Sequence, residues 1–100
     1  MFIEAINTLH IRAAHGHIEV LGQQLLDIVK AIGPVQGCLN YLVARCCLDV
    51  NVWVVSSHWT SRRAMEMHFE DPSLKSFIEL LTSRTVTKIH FNSFFNKYAL

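Results

Sequence analysis

The order in which hydrophobic periodicity changes along the chain predicts an α+β fold built on one antiparallel sheet. Segments with a two-residue repeat and segments with a helical repeat follow one another as strand, helix, strand, strand, helix, strand. Hydrophobic residues make up 51% of the 100 residues and charged residues only 17%, so the chain holds more apolar surface than one small core can hide. No linker, internal repeat or low-complexity run interrupts it, and one domain over residues 1–100 is expected.

The first strand is expected over Phe2–Ile11, where Ile3, Ala5, Asn7, Leu9 and Ile11 alternate with Phe2, Glu4, Ile6, Thr8 and His10. Asn7 is the polar intruder on the more apolar face. From about Gly16 to Ile32 the residues Ile18, Leu21, Leu25, Ile28 and Ile32 recur at helical spacing, and Gly33-Pro34 stops the helix. Residues 38–47 and 52–59 read as two strands joined by the short loop Leu48-Asp49-Val50-Asn51, with Cys46 and Cys47 on opposite faces of the first. Thr60 or Ser61 can cap a short helix that ends near Phe69. Asp71-Pro72 restarts the chain as cap and first helical residue, and the new helix runs to about Ser83 with Leu74, Phe77, Ile78 and Leu81 on one stripe. The last strand, about Thr85 to Asn96, is apolar on both parities: Ile89, Phe91 and Phe95 on one, Val86 and Phe94 on the other.

This order is that of the ferredoxin-like split βαβ sandwich. Right-handed crossovers put both helical layers on one side of a four-stranded sheet. The other side still carries Val, Phe, Leu and Cys, so a second copy of the same sheet is the expected cover and a homodimer the expected assembly.

A formal net charge of +1, with no basic cluster beyond Arg62-Arg63, argues against nucleic acid or an anionic membrane as partner. No apolar run approaches the ~18 residues that span a bilayer. Reduced Cys38, Cys46 and Cys47 and a leader-free start make a cytoplasmic protein the expectation.

Few side chains stand out as chemistry. Asn7 is either a core carboxamide satisfied by backbone or a donor aimed into a cavity between sheet and helices. His68 shares a helical stripe with Ala64 and Met65; it is either a hydrogen-bonded core histidine or a general base near neutrality. Trp59 and Tyr41 read first as core aromatics. His15 and His17 lack partners at ligand spacing, whereas His10, His58 and His90 fall on even positions of adjacent strands and are expected to gather on the helix-free face through hydrogen bonds rather than a metal. Gly-rich phosphate loops, nucleophile elbows and Cys/His pairings are absent from the sequence.

Gly16, Gly37-Cys38-Leu39-x-Tyr41 and Trp59-x-Ser61-x-x-Ala64-x-x-x-His68-Phe69-x-x-Pro72 together resemble the antibiotic biosynthesis monooxygenase family. The resemblance covers roughly residues 2 to 95. It implies a dimeric α+β barrel of two ferredoxin-like units, and oxygenation of small aromatic or quinol-type molecules, often without metal or flavin. No cofactor and no metal site are therefore expected. It further implies His68 as base or anion partner, Asn7 as a donor to the substrate oxygen and Trp59 as a wall, with Tyr41, Phe77 and Met65 against the substrate. Many relatives carry Glu two residues before the Trp, where this chain has Ser57. The haem-degrading branch is not implied, because its helical Trp falls on His68 and its downstream His on Ile78. Two other readings stay open: a non-catalytic ligand-binding or regulatory dimer of the same fold, and an isomerase that uses the same base and donor.

Overall fold

The computed structural model describes residues 2–96. In chain order the elements are β1 (Ala5–Ala13), α1 (Ile18–Ile32), β2 (Cys38–Arg45), β3 (Val52–Trp59), α2 (Arg62–Phe69), a 3-10 turn (Pro72–Leu74), α3 (Lys75–Leu81) and β4 (Val86–Phe95). The four strands form one antiparallel sheet in the order β2-β3-β1-β4, the ferredoxin-like arrangement. Along β1 the alternation is realised in burial: Ala5, Asn7, Leu9, Ile11 and Ala13 all lie under the helices.

Local signals act where the sequence puts them. Ser61 Oγ accepts a hydrogen bond from Ala64 N at 3.1 Å and starts α2. Asp71 Oδ1 accepts from Ser73 N at 2.8 Å, with Pro72 at the first helical position. Gly37 has a positive φ of 82°, and a Cβ there would meet the Ala64 Cβ at 2.5 Å, so both conformation and space demand glycine.

Three expectations change. The strand from Cys38 ends at Arg45, because Cys46 N donates to Val52 O and closes the hairpin; Cys46 and Cys47 lie in the connecting loop, not across a strand. After Pro72 the chain makes a 3-10 turn before α3, and Leu74, Phe77 and Leu80 are the buried residues of this stretch, while Ile78 is 60% exposed. The excess apolar surface is also placed differently. The helix-free face is mixed, with Ile6, Leu42, Val54 and Phe94 among Thr8, Asn40, Ser56 and Asn92. The main excess sits on β4, on both faces: Phe91, Phe94 and Phe95 are 55%, 53% and 54% exposed. The helices cover β1 and β3 but leave much of the edge strand β4 uncovered.

The larger core cluster joins Leu9 and Ile11 of β1 and Val55 of β3 to Leu21 and Leu25 of α1 and Phe77 and Leu80 of α3. A smaller one holds Ala5, Trp59 and Met65. The indole of Trp53 fastens α1 to the sheet: its Nε1 donates to Ile18 O at 2.7 Å, and its ring lies where a Cβ on Gly22 would be, 2.2 Å from Cζ2. Gly22→Ala must push this helix off the strand, so a loss of about 1–3 kcal/mol is expected despite the better helix propensity of alanine. Urea unfolding of the two proteins measures it, and a stabilised variant would contradict this packing.

Candidate functional site

The register of the sheet assembles one polar row under the helices. Tyr41 on β2 faces Ser57 on β3, Ser57 faces Asn7 on β1, and Asn7 faces Ser93 on β4. The next row is apolar throughout, Val43, Val55, Leu9 and Phe91. Directly paired residues share a face, so the two rows form the floor of the space between sheet and helices.

That space is a cavity of about 220 Å³. Asn7, Leu9, Tyr41 and Val55 form its floor, Phe69, Leu74, Phe77, Ile78 and Leu81 its helical walls, and Phe91 its side. Only Asn7 and Tyr41 among these bring polar groups, which suits a small, largely apolar ligand held by one or two directed hydrogen bonds. Phe69 and Phe91 meet edge to face, with centroids 5.7 Å apart.

Asn7 is 5% exposed. Its Nδ2 donates to Asn92 O and to Ser93 Oγ, both at 3.1 Å. A backbone carbonyl only accepts, so the amide is oriented with its NH₂ toward β4, and both of its N–H groups are in use. What Asn7 can offer a ligand is its carbonyl oxygen. The two N–H groups that the donor reading calls on are thus engaged within the sheet.

His68 is 4% exposed and does not line the cavity. It stands behind Tyr41, whose hydroxyl lies 2.6 Å from His68 Nε2. Burial pushes the Tyr41 phenol far above its ordinary range, with nearby Cys38 adding to the effect and Ser57 opposing it. Burial likewise pushes His68 below the ordinary imidazole range, partly offset by the Asp71 carboxylate. Near neutrality the pair is therefore a phenol donating to an unprotonated Nε2, and the imidazole proton sits on Nδ1.

Trp59 supports this pair from the side away from the cavity. Its ring is tilted against His68 with centroids 4.9 Å apart, and its Nε1 donates to Ser57 Oγ at 2.9 Å. Trp59 is fully buried, packs against His68 and is not among the residues lining the cavity, where a wall was expected. Met65 packs beside it and is likewise absent from the cavity, while Tyr41 and Phe77 do line it. Sequence reading missed Phe91 and Phe69 as lining residues. The parity of β4 and the end of α2 carried that signal, but the register that joins them did not show.

The histidines of the other face divide. His10 and His90 are cross-strand neighbours with ring centroids 6.3 Å apart. His58 instead faces Ile6, and its Nδ1 pairs with Asn40 Oδ1. The expected gathering of three is thus a pair plus a separate residue. Among the described residues no group of three His, Cys, Asp or Glu side chains is placed to hold a metal ion. Among them, too, no helix is long and apolar enough to cross a membrane.

The family model for antibiotic biosynthesis monooxygenase matches residues 4–80. A Deinococcus radiodurans protein described as a candidate antibiotic biosynthesis monooxygenase superposes with a TM-score of 0.82 at 26% identity, over 96% of this chain and 95% of that one. PA3566 from Pseudomonas aeruginosa superposes with a TM-score of 0.74 at 20% identity over 96% of each chain. A Nitrosomonas europaea protein, also a candidate antibiotic biosynthesis monooxygenase, reaches 0.77 at 8% identity over 94% of this chain and 99% of that one. No curated protein matches the chain in sequence.

The buried histidine gives stability a pH dependence of defined sign. His68 has a lower pKa folded than unfolded, so between the two values the unfolded chain binds more protons and stability rises with pH. Its contribution is complete above the ordinary imidazole value of 6.5 and is lost as pH falls from there toward the folded value. The lowered Asp49 and Asp71 carboxylates act in a separate window, below 3.8. Urea midpoints from about pH 7.5 to about pH 5 should fall for the natural protein and change less for His68→Gln, which keeps an acceptor near Tyr41 but does not titrate. Equal slopes would exclude His68 as the titrating group.

Proposed function

Because the chain belongs to the antibiotic biosynthesis monooxygenase family, we propose that it is a cofactor-independent monooxygenase acting on a small aromatic or quinol-type molecule. The observation that carries this reading is Tyr41 in the floor of a largely apolar cavity, with His68 behind it at hydrogen-bond distance. A phenolic substrate on this floor donates its hydroxyl proton toward Tyr41 or the Asn7 carbonyl oxygen. Proton removal raises the electron density of the ring, and the apolar walls exclude water from the reactive species.

The chemistry closes on dioxygen as the sole co-reactant. The phenolate passes one electron to O₂, and the resulting aryloxyl radical and superoxide combine through a new C–O bond on the ring. Protonation gives the hydroperoxide. Cleavage of O–O, with loss of the hydrogen on that carbon, leaves a quinone and one water. One oxygen atom enters the product and the other leaves as water. Tyr41 and His68 take the first proton and return it at the peroxide stage.

Ser57 in the polar row is uncharged, and both N–H groups of Asn7 are committed to β4. These two observations favour the second reading, a binding module that holds such a ligand without converting it.

We also propose that a second copy covers the sheet, through the helix-free face with Ile6, Leu42, Val54 and Phe94 and continuing onto β4. Light scattering at micromolar concentration should give twice the mass of 11.4 kDa, and Phe94→Asp should shift it toward the monomer. A monomeric natural protein would reject the assembly.

Oxygen consumption with a panel of quinols and polyphenols tests the activity. Tyr41→Phe and His68→Gln should each lower turnover at least ~10-fold if each supplies about 1.4 kcal/mol or more to the barrier. A ligand that raises the melting temperature yet consumes no oxygen would establish the binding module instead.

A further inference from the structure

His68 lies between two spaces that share no lining residue. On one side Tyr41 stands in the apolar cavity. On the other, His68 itself lines an outer groove of about 580 Å³ between the loop before β2 and α2, along with Gln36, Thr60, Arg63 and Asp71. The Tyr41 hydroxyl, from the cavity, and the imidazole, from the groove, lie 2.6 Å apart. We infer that Tyr41 and His68 form a proton relay from the cavity to solvent in this groove, with Asp71 as the positioning charge at its outer end.

The ring's two nitrogens divide the work. Nε2 is taken by Tyr41, so Nδ1 is left to exchange with the groove. A ligand hydroxyl gives its proton to the Tyr41 oxygen as Tyr41 gives its own to Nε2, and the Nδ1 proton leaves to a base in the groove. The imidazole is then neutral with its proton on Nε2. When the peroxide anion forms, that proton returns through Tyr41, and Nδ1 regains one from the groove. The cycle restores the starting tautomer without a ring flip. This solves a problem set by the cavity, whose lining offers no titratable group but Tyr41.

The groups facing His68 fit the task. Tyr41 comes from β2, the rings of Trp59 and Phe69 close on its flanks, and Asp71 is the carboxylate that acts on it. Arg63 lines the same groove. Asp71 favours the imidazolium and so raises the proton affinity of a ring that burial has lowered.

The inference rests on the cavity as the substrate site, and its test has an arm that needs no oxygen chemistry. In turnover, His68→Ala should lose at least ~10-fold and recover with added imidazole, which reaches the vacated space from the groove. Tyr41→Phe should lose as much without recovery. Asp71→Asn keeps the cap on Ser73 but not the charge, and should move the acid limb of kcat/KM to lower pH. No recovery in His68→Ala, recovery in Tyr41→Phe, or an unmoved acid limb overturns the relay. In the second arm, para-nitrophenol, whose anion is yellow, is bound and the pH jumped. Its colour should follow at least ~10-fold faster in the natural protein than in Tyr41→Phe or in the conservative His68→Gln. A difference without oxygen consumption rejects the oxygenase and keeps the relay. Equal rates overturn the relay, and failure to bind the phenol overturns both.

Discussion

Strand register is the constraint on which the site depends. Pairing Asn7 with Ser57 on one side and Ser93 on the other, and Ser57 with Tyr41 beyond, gathers these four polar side chains into one row under the helices. Side chains alternate with a period of two, so a slip of one residue in β1 would turn Asn7 to the open face and bring Ile6 or Thr8 inward. The hydrophobic pattern opposes such a slip, because Leu9 and Ile11 would leave the core with it. The forces that hold the core thus also place the polar row, and the site needs no separate device to align its strands.

Burial then sets the character of that row. A polar group under the helices costs free energy unless it is paired, and each member here has a partner in the row or behind it. Asn7 spends its two donors on β4, Ser57 accepts from Trp59, and Tyr41 lies within hydrogen-bonding distance of His68. The same low-polarity surroundings drive tyrosine and histidine apart in proton affinity, which fixes the direction of their hydrogen bond. Trp59 shows how structure and site share residues. It anchors the smaller core cluster and lays its ring against His68, so a fully buried aromatic restricts the ring that faces Tyr41.

The edge strand β4 contributes differently. It closes the cavity through Phe91 and fixes Asn7 through Asn92 and Ser93, yet Phe91, Phe94 and Phe95 stay largely exposed. Phe95 is met by the Arg62 guanidinium, 4.5 Å from its ring centre, which shields only part of that area. Because Phe91 both lines the cavity and stays half exposed, anything that covers this strand also touches the side of the cavity.

Much of this was legible in the amino-acid sequence, for reasons of periodicity and local chemistry. Alternation located the strands, the helical repeat located α1, and Ser61, Asp71 and Pro72 marked helix starts, since caps act on groups two or three residues away. The inward parity of Asn7 and the burial of His68 followed from the same patterns. Tertiary structure decided what depends on distant pairing. Nothing local tells that Tyr41 will meet His68 across 27 positions, or that both donors of Asn7 go to a strand some 85 positions away. It also decided that Trp59 and Met65 stand behind the site, because which side of a buried side chain adjoins empty space is set by how helices seat on the sheet. The sequence determined which faces are apolar; only the packed sheet and helices determined where, between those faces, a space was left and which atoms look into it.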